Sequence, residues 1–480
     1  MKQLFENTIN PDNPIWDTDS YKYAHARMYP ENTKNLSATI EARSPLGAID
    51  EIVFFGLQME LAKLADVRIT EQDIDEAEDF LKNHGLSLFI PGWRKIAREY
   101  NGKFPVKIWA LPEGTVVAPG VPQVRVESTD EELFWLPSFL ETRLLRAVWY
   151  PSTVASRSRA LKKIITSRLQ QTDGSAEGVE FKLHDFGARG ASSYETAAIG
   201  GVAHLVSFWG TDTVSGLVAA RNFYGAEMAG YSIPATEHSV MTAEGRKGEK
   251  DVIKRILTDN PEGLIAMVCD SYDLMEIVSN VLGKEFKELV LNRNGTLVVR
   301  PDSGEPTQIV PDTIEALMNA FGSEMTEQGY RLLPPQVRVI QGDGITLESL
   351  PDILDAMMAR GLAIGNIAFG MGGGLLQQVT RDDFGYAMKT NARLADDTWV
   401  DVYKDPITAA GTKTSKKGRQ AAVMTAQGLV AKRLDSISPE EDALEVVFEN
   451  GDIIKVHTFD EVRNRADVNK NIEGALKNAA

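Results

Sequence analysis

Seven short apolar runs in the middle of the chain limit what it can fold into. Each run is rich in β-branched or aromatic residues, ends in charged, glycine or hydroxyl residues, and precedes a more helical stretch. The runs recur at intervals of roughly 25 to 40 residues, the size of one β-α unit. They are Phe181–Gly187, Leu205–Asp212, Tyr231–His238, Ile265–Asp270, Leu297–Gly304, Val337–Gly344 and Ile367–Gly374. Such runs are typical of strands buried on both faces, so the pattern predicts a parallel sheet, and seven consecutive units favour a β/α barrel over an open sheet.

Charged side chains stand at the ends of these predicted strands. They are Asp185, Asp212, His238, Asp270, Arg300, Asp302 and Asp343. In barrels the catalytic residues lie at the C-terminal ends of the strands. A single charged residue there has a simple structural explanation, because strands end at the surface. The repetition of the pattern favours an active site at this end of the barrel.

The segments on either side of the barrel follow a different pattern. The N-terminal segment mixes short alternating stretches with helical ones, including the acidic stretch Glu71–His84, which predicts a solvated helix. Near the C-terminus, Asn450–Gly451 between two alternating runs is a strong hairpin signal. We therefore expect an α/β protein with an irregular β/α barrel at residues 151–390, flanked by a mixed, β-rich domain that residues 1–150 and 391–480 build together.

The composition excludes several classes of function. The 480 residues carry a formal net charge of −17, which argues against non-specific binding to nucleic acid or to an anionic membrane. The single cysteine, Cys269, excludes an intrachain disulfide and a thiolate metal cluster, and it fits a reducing compartment. Residues 1–13 lack the pattern of a secretory signal, and no apolar stretch approaches the length of a membrane span. We expect a cytoplasmic protein whose partners include neither nucleic acid nor a membrane.

Two glycine-rich turns indicate phosphate binding. Gly370–Gly374 precedes a predicted helix, Leu375–Arg381, and Gly342 and Gly344 flank Asp343. Glycines let the backbone approach an anion and N–H groups at a helix start donate to it, while an ionised Asp343 could accept hydrogen bonds from sugar hydroxyls. The chain has no P-loop and no early dinucleotide-binding glycine motif, and its six histidines lack zinc-ligand spacing. Mg²⁺ is a candidate, because it binds through a few carboxylates and substrate phosphates, but the sequence does not identify its ligands.

Eight short motifs follow one another between about Asp17 and Arg419. They are Thr18–Lys22, His184–Gly187, Gly210–Thr213, Glu237–Ser239, Asp270–Asp273, Arg300–Gly304, Gln341–Gly344 and Gly372–Gln377. Taken in this order, they resemble the motifs of the nicotinamide phosphoribosyltransferase family. The resemblance implies a type II phosphoribosyltransferase barrel and a homodimer with active sites at the subunit interface. It also implies that the enzyme makes nicotinamide mononucleotide for NAD salvage from nicotinamide and 5-phosphoribosyl-1-pyrophosphate (PRPP), with ATP as a further ligand.

The same resemblance implies roles for individual side chains. The pyridine ring would stack between Phe186 and Tyr21 of the partner subunit, with Arg300 helping to hold the base and Asp212 accepting a hydrogen bond from the carboxamide. The remaining implied residues bind PRPP: Asp302, Gly342 and Asp343 at the ribose, Gly372, Gly373 and the partner's Arg381 and Lys389 at the phosphate, and Arg43 and Arg189 at the pyrophosphate.

His238 has an implied role of its own, beside Asp270 and Asp302. In the family, the matching histidine is phosphorylated by ATP, and imidazole is a competent nucleophile toward phosphorus. Asp270 could hold the ring in the required tautomer. The pyridine nitrogen already has a free lone pair, so the main reaction needs fixed charges at the ribose and the leaving group rather than a general base. The expected cofactors are Mg²⁺ and ATP, with ATP as phosphoryl donor to His238.

Three alternatives stay open or are weakened by the sequence. A nicotinate phosphoribosyltransferase would have the same fold and the same phosphoribosyl donor but a carboxylate base. A catalytically silent sensor of NAD metabolites is less attractive, since both His238 and Asp212 are present. A phosphate-binding lyase or aldolase would usually place a lysine on a barrel strand, and none of the seven runs ends in lysine.

Overall fold

The computed structural model describes residues 8–406 and 415–468, and the chain divides into two compact units. Among the described residues, the first comprises 8–156, 380–406 and 415–466, and the second comprises 157–379 and 467–468. The second unit is therefore narrower than the predicted range of 151–390. Ser152 and Ser156 accept hydrogen bonds from the backbone of Phe55 and Val53 in the first unit, and residues 387–395 pair with a strand of the first unit.

Nineteen strands are present in the described part of the chain. They are β1 Thr33–Glu41, β2 Ile52–Val53, β3 Val106–Ala110, β4 Val116–Val117, β5 Val124–Ser128, β6 Leu183–Asp185, β7 Gly210–Thr211, β8 Glu262–Val268, β9 Asn294–Arg300, β10 Glu324–Met325, β11 Arg331–Leu332, β12 Val337–Gln341, β13 Ile367–Met371, β14 Ala387–Ala395, β15 Thr398–Asp401, β16 Gln420–Thr425, β17 Gly428–Arg433, β18 Glu445–Glu449 and β19 Asp452–Ile453.

The α-helices vary from one turn to 33 residues. They are α1 Leu57–Asp66, α2 Glu71–Asn83, α3 Ile90–Glu99, α4 Leu136–Phe139, α5 Glu141–Asp173, α6 Tyr194–His204, α7 Val214–Tyr224, α8 His238–Met241, α9 Gly245–Asp259, α10 Leu274–Glu276, α11 Lys287–Leu291, α12 Pro306–Phe321, α13 Ser349–Ala359, α14 Gly373–Leu376 and α15 Phe459–Ala466. A π-helical segment, Ile277–Glu285, follows α10. Within the residues that the structure describes, none of the helices is long and apolar enough to cross a membrane.

The first unit is built on a seven-stranded antiparallel sheet. Its strand order is β15-β14-β1-β5-β3-β18-β19, so three strands from the N-terminal part of the chain lie in the centre and two C-terminal strands flank them on each side. The predicted hairpin is confirmed: Glu449 pairs with Asp452, and Asn450 and Gly451 have φ values of 52° and 85°. Two consecutive left-handed residues match the right-handed twist of the flanking strands, which is why Asn-Gly is favoured there.

The acidic stretch predicted as a helix is α2. Thr70 and Asp73 form a capping box at its start, in which each side chain accepts a hydrogen bond from the other residue's backbone N–H. The helix buries Ile74, Ala77 and Leu81 at helical spacing, and its acidic residues are partly or fully exposed except for the capping Asp73, which is buried. These apolar positions join the main core of the first unit.

The second unit contains a curled parallel sheet of six strands. The strand order is β7-β6-β13-β12-β9-β8, and every neighbouring pair is parallel. Residues 231–235 bridge the two edges, because Tyr231 pairs with Gly210 of β7 and Ala235 pairs with Ala266 of β8, both in parallel. All seven predicted runs therefore contribute to one ring, and the predicted irregular β/α barrel is confirmed.

Two of the predicted strands are wrong in detail. The run Leu205–Asp212 forms a strand only at Gly210–Thr211, because its apolar residues continue from the end of α6 and Phe208 packs at 5.2 Å against the ring of His204. The run Tyr231–His238 makes single bridges rather than a ladder. In both cases a buried apolar run was indistinguishable from a strand by its hydrophobicity alone.

Side chains of the barrel interior are small or medium in size. Ala266, Val298 and Ile340 form a buried cluster, against which Ile233, Phe186 and Ala368 pack. Their strand neighbours Leu297 and Val299 are fully buried outside this cluster, consistent with the two-residue period of a strand. Ala266 and Ile340 of this cluster line the cavity that lies toward the C-terminal ends of the strands.

His204 on α6 gives the second unit a dependence on pH. The ring is fully buried, its two nitrogens lie 3.0 Å from Ser158 Oγ and 3.2 Å from the carbonyl of Leu183, and burial lowers its pKa to about 3. The folded state thus resists protonation of a group whose unfolded pKa is about 6.5. The contribution of the neutral His204 ring to the free energy of unfolding is therefore fully present above pH 6.5. It decreases as the pH falls from 6.5 toward 3, by about 2 kcal/mol at pH 5.

We expect this loss to be smaller in His204→Gln. Between pH 7.5 and pH 5, the free energy of unfolding in urea should fall about 2 kcal/mol more for the wild type than for the variant. His84→Gln is the matched control, because that side chain is exposed in the folded chain. An equal pH dependence of the wild type and His204→Gln would contradict this assignment.

Candidate active site

A cavity of about 360 Å³ opens at the C-terminal ends of the barrel strands. The end of β6 contributes Phe186, the end of β7 contributes Asp212, and the end of β9 contributes Arg300. Arg189, in the short 3₁₀ helix after β6, is exposed at its rim. The structure therefore brings together four of the side chains that the sequence singled out, from segments as far apart in the chain as Phe186 and Arg300.

The aromatic wall of the cavity depends on two glycines. A Cβ atom on Gly370 would lie 1.9 Å from the ring of Phe186, and one on Gly342 would lie 3.3 Å from it. The first distance is far below van der Waals contact, so only glycine at position 370 leaves room for this ring. Gly370 was predicted to belong to a phosphate-binding turn, and its packing against Phe186 could not be predicted, because no residue near Gly370 in the chain indicates that ring as a neighbour.

Asp212 presents a carboxylate to the cavity. Its Oδ1 accepts a hydrogen bond of 2.5 Å from the hydroxyl of Ser232. His184 also lines the cavity, and burial lowers the pKa of its ring, with the Asp212 carboxylate opposing this effect. Ser232, which lines the cavity and donates to Asp212, was not among the residues predicted from the sequence. Its place in the run that bridges β7 and β8 was the available signal.

Arg300 and Asp302 form an ion pair at the end of β9. The Nε and Nη2 atoms of Arg300 donate to Asp302 Oδ1 over 2.8 and 2.6 Å. Asp302 has a φ of 56°, and a left-handed backbone is uncommon for a residue other than glycine. Backbone strain of this kind is often found where a functional side chain must be aimed. Here the turn directs the Asp302 carboxylate back onto the arginine.

His238 lies between two carboxylates. Its Nε2 is 3.0 Å from Asp270 Oδ1, and its Nδ1 is 4.0 Å from Asp302 Oδ2. The other oxygen of Asp270 accepts a hydrogen bond of 2.9 Å from the backbone N–H of Ser303, which fixes the carboxylate. The three residues predicted to be catalytic are thus brought together, although His238 begins the short helix α8 rather than ending a strand.

The residues predicted to bind ribose and phosphate in the second unit lie on two turns. A Cβ on Gly342 would lie 3.7 Å from Arg300 Nε, and Asp343 is exposed on the turn after β12. Gly372 caps α14 and Gly373 begins it. The predicted helix Leu375–Arg381 is wrong, because α14 ends at Leu376 and the Thr380 hydroxyl donates to Asp383 in a turn that replaces helical bonding.

The remaining predicted residues belong to the first unit. Burial lowers the pKa of Lys389 on β14, and the positive charges of Arg43, Lys404 and Arg381 lower it further, against the opposing charge of Glu141. Arg43 and Arg381 therefore lie near enough to Lys389 for their positive charges to act on it. Tyr21 is 57% exposed, in the 3₁₀ helix Ser20–Arg27, with its ring 5.3 Å from that of His25.

The basic segment Lys413–Arg419 begins outside the described residues. Within its described part, Lys416 forms an ion pair with Glu41, and Arg419 donates to both oxygens of Glu127 over 2.9 and 3.0 Å. Lys417 lies 3.9 Å from the centre of the Tyr403 ring. Each of the three described cations of the segment therefore has a contact within the first unit, so a structural role accounts for them.

A metal site made by the protein alone does not fit this arrangement. In residues 8–406 and 415–468, there is no group of three or more histidine, cysteine, aspartate or glutamate side chains that could hold a metal ion. A magnesium ion can instead be bound mainly by substrate phosphates, with one or two carboxylates.

Taken together, the cavity can stack a flat ring on Phe186 and accept a hydrogen bond from that ring's substituent at Asp212. The carboxylates of Asp302 and Asp270 place negative charge at the strand ends, where it can stabilise a cationic reaction centre. The cationic group of the first unit is suited to phosphate. The cavity residues by themselves fit the transfer of a sugar to an aromatic base.

Comparisons with known proteins agree with this chemistry. A family model described as the nicotinate phosphoribosyltransferase (NAPRTase) family matches residues 181–452, and one described as the nicotinamide phosphoribosyltransferase N-terminal domain matches residues 13–108. The chain is 44% identical to a nicotinamide phosphoribosyltransferase of Xanthomonas campestris pv. campestris, covering 95% of this chain and 98% of that protein. It is 34% identical to a nicotinamide phosphoribosyltransferase of Acinetobacter baylyi, covering 95% and 97%.

A solved structure supports the fold. The nicotinate-nucleotide pyrophosphorylase of Pyrococcus furiosus superposes with a TM-score of 0.60 at 16% sequence identity, covering 98% of each chain. At this identity the likeness concerns the fold alone. It agrees with the curled parallel sheet and the additional antiparallel sheet described above.

Proposed function

The chain belongs to the nicotinate phosphoribosyltransferase family, and we propose that this pentosyltransferase joins nicotinamide to PRPP, forming nicotinamide mononucleotide and pyrophosphate for NAD salvage. The observation that carries the choice of base is the carboxylate of Asp212 in the cavity beside the Phe186 ring. A carboxylate accepts a hydrogen bond from a carboxamide NH2 but repels the carboxylate of nicotinate. The proposal includes the cytoplasmic location expected from the sequence.

The reaction needs no general base. The lone pair of the pyridine nitrogen forms the new bond to C1 of the ribose while the bond from C1 to the pyrophosphate oxygen breaks, and pyrophosphate leaves with the electron pair. The Phe186 ring holds the base flat, and Arg300, fixed by Asp302 at 2.6 and 2.8 Å, helps to keep it there. Asp302, Gly342 and Asp343 act at the ribose, where positive charge develops in the transition state.

The pyrophosphate is bound by cations. Arg189 at the cavity rim is one of them, and the group of Arg43, Arg381 and Lys389 supplies more. In the proposed homodimer these last residues and Tyr21 act on the active site of the partner subunit, together with Gly372 and Gly373 of the barrel at the phosphate. Magnesium bound to the pyrophosphate would offset its negative charge.

We further propose that ATP phosphorylates His238. Asp270 Oδ1 lies 3.0 Å from Nε2, so Nε2 carries the proton in the neutral ring and Nδ1 keeps its lone pair. Nδ1 can then attack the γ-phosphorus of ATP, with ADP as the leaving group. The phosphorylated enzyme would bind its substrates more tightly, which makes His238 an auxiliary residue rather than one that forms the glycosidic bond.

Product formation from PRPP with nicotinamide or nicotinate, each with and without ATP, tests the proposed function. We expect the wild type to prefer nicotinamide. Because Asp212 is exposed, solvent screens its charge, and we expect Asp212→Asn to reduce the ratio of kcat/KM for the two bases by 10- to 100-fold, on the order of 1.4 to 3 kcal/mol.

The control for this prediction is Asp259→Asn, at the exposed C-terminal end of α9, which removes an equal charge away from the cavity. It should leave the base ratio unchanged. A wild type that uses nicotinate as efficiently as nicotinamide would favour the nicotinate enzyme, and binding of both bases without turnover would favour a metabolite sensor.

A further inference from the structure

The turn after β12 carries two of the residues proposed to act at the ribose. Gly342 and Asp343 follow Gln341, the last residue of β12, and Gly344 completes the turn. Asp343 and Gly344 are exposed, and Gly344 has a φ of 68°, a left-handed conformation that favours glycine. A Cβ atom on Gly342 would lie 3.3 Å from the ring of Phe186. The position of this turn therefore sets how the ribose-binding residues stand relative to the base cavity.

Gln341 holds this turn from the strand side. Its side chain is completely inaccessible to solvent and does not line the base cavity, whereas Ile340 before it does. The Nε2 of Gln341 donates a hydrogen bond of 2.9 Å to the backbone carbonyl of Asp343. This partner fixes which end of the amide faces the turn, because a carbonyl oxygen can only accept a hydrogen bond. The amide is therefore directed at the backbone of the turn.

Ser349 holds the same turn from the helix side. It is the first residue of α13, and its hydroxyl donates a hydrogen bond of 2.7 Å to the carbonyl of Gly344. The hydroxyl oxygen also accepts a hydrogen bond of 2.9 Å from the backbone N–H of Thr346. In return, the hydroxyl of Thr346 accepts one of 3.1 Å from the backbone N–H of Ser349. Two consecutive carbonyls of the turn are therefore bound by side chains from two different elements.

Fixing these carbonyls also fixes the direction of the neighbouring N–H groups. The peptide bonds of the turn are trans, so each C=O and the N–H that follows it point to opposite sides of the chain. The N–H of Gly344 thus points away from Gln341. Among the residues that the structure describes, none accepts a hydrogen bond from the backbone N–H of Asp343 or Gly344. A ribose hydroxyl both donates and accepts, so it can pair with the Asp343 carboxylate and with these N–H groups.

Only one end of the Gln341 amide has a partner. Its Oε1 is buried and accepts no hydrogen bond from the described residues. A buried polar atom without a partner opposes folding, and methionine would fill a similar space without one. The carbonyl of Asp343 belongs to an exposed residue, so water can pair with it when the amide is removed. Loss of the amide should therefore affect the position of the turn far more than the stability of the fold.

We propose that Gln341 and Ser349 are positioning residues, which hold the Gly342–Gly344 turn so that Asp343 binds the ribose of the phosphoribosyl donor. The inference rests on the proposed function in so far as this donor is PRPP. Neither Gln341 nor Ser349 lines the base cavity, and each acts through a backbone carbonyl of the turn. Because the ribose is bound both before and during the reaction, a displaced turn weakens the binding of the donor more than it slows the chemical step.

The substitutions Gln341→Met and Ser349→Ala test this role. Each removes one hydrogen bond to the turn, and we expect the KM for PRPP to rise about tenfold in each variant. The kcat and the KM for nicotinamide should stay within about twofold of the wild type, because the base cavity is unchanged. Ser349→Thr keeps the hydroxyl and should keep the KM for PRPP of the wild type. In urea, the unfolding equilibrium constant of Gln341→Met should stay within about threefold of that of the wild type.

The control is a buried amide at the other end of the barrel. Asn366 lies immediately before β13 and is completely inaccessible to solvent. Its Nδ2 donates to the carbonyls of Arg331 and Ala363 over 2.9 and 2.8 Å. Asn366→Leu removes a buried amide that also donates to backbone carbonyls, but it does so away from the turn after β12. This variant should be less stable than the wild type and should leave the KM for PRPP unchanged.

The possible results separate this inference from the proposed function. In a wild type that makes nicotinamide mononucleotide, an unchanged KM for PRPP in Gln341→Met and Ser349→Ala would overturn the inference and leave the function intact. Loss of kcat and stability without a change in this KM would mean a structural role only, and would overturn it too. A wild type that uses nicotinate instead would overturn the choice of base, and the same KM is then measured with nicotinate. If PRPP binds without turnover, its Kd from titration calorimetry replaces the KM, and a wild type that binds no PRPP overturns both proposals.

Discussion

Homodimers of Tyr21→Ala and of Arg300→Ala should each lose activity by about 10²- to 10³-fold. A mixed dimer, with one Tyr21→Ala chain and one Arg300→Ala chain, should have half of its active sites intact. Under the proposed function, loss of Arg300 removes the cation that pairs with Asp302 at the cavity and helps to hold the base, and loss of Tyr21 removes one aromatic wall. Misplacement of a reactant costs about this much. In the proposed two-fold dimer each site takes Arg300 from one subunit and Tyr21 from the other. The mixed dimer thus has one site with both lesions and one with neither.

Co-expression of the two variants with different affinity tags isolates the mixed dimer, and activity per dimer is the measurement. Random exchange of equal amounts, without isolation, should leave about a quarter of all sites intact. The matched control carries both substitutions on one chain and pairs it with a wild-type chain. Each site then has one lesion, and this dimer should be as inactive as the single variants. The reverse pattern, an active control and an inactive mixed dimer, would mean that Tyr21 and Arg300 act within one chain.

The substitution His238→Ala should abolish the acid-labile incorporation of phosphate from ATP. It should also remove the stimulation of nicotinamide mononucleotide synthesis by ATP while leaving a basal rate. The reason is geometric: Asp270 holds Nε2 at 3.0 Å and leaves Nδ1 as the nucleophile, and no part of the glycosidic reaction requires the imidazole. Phosphate incorporation is followed with γ-labelled ATP, and synthesis is followed with and without ATP.

Two further variants sharpen this test. His84→Ala, an exposed histidine in the first unit, should incorporate phosphate normally. Asp270→Asn keeps a hydrogen-bond acceptor but loses the charge that stabilises the ring, so its phosphorylation should be slowed rather than abolished. Full stimulation by ATP in His238→Ala would show that a different residue couples ATP hydrolysis to synthesis.

Local patterns in the sequence were sufficient to predict several secondary-structure elements and the α/β fold class. The seven apolar runs predict the ring of barrel segments, Asn450–Gly451 predicts the β18–β19 hairpin, and the acidic stretch after Thr70 predicts α2. Each of these depends on residues that are close in sequence, through side-chain periodicity, turn chemistry or capping. The order of the eight motifs was likewise enough to identify the family.

The sequence was also sufficient to identify most residues of the candidate site, but not to predict the distances between them. His238, Asp270 and Asp302 were chosen one by one from strand ends, whereas their mutual distances of 3.0 and 4.0 Å follow from the pairing of β8 with β9 and the bridge at Ala235. The boundary at residue 157 was similarly decided by hydrogen bonds that Ser152 and Ser156 accept from backbone N–H groups about 100 positions away.

Only the tertiary structure revealed what surrounds a residue from distant parts of the chain. Glycine is needed at position 370 because the ring of Phe186 packs against it. Ser232 matters because its hydroxyl donates a hydrogen bond to Asp212. Asp185 is a further case, because an aspartate at a strand end gives no sign in the sequence that its side chain is completely buried. Periodicity and turn chemistry are local and can be read along the chain, whereas burial and charge compensation depend on packing between segments far apart in sequence.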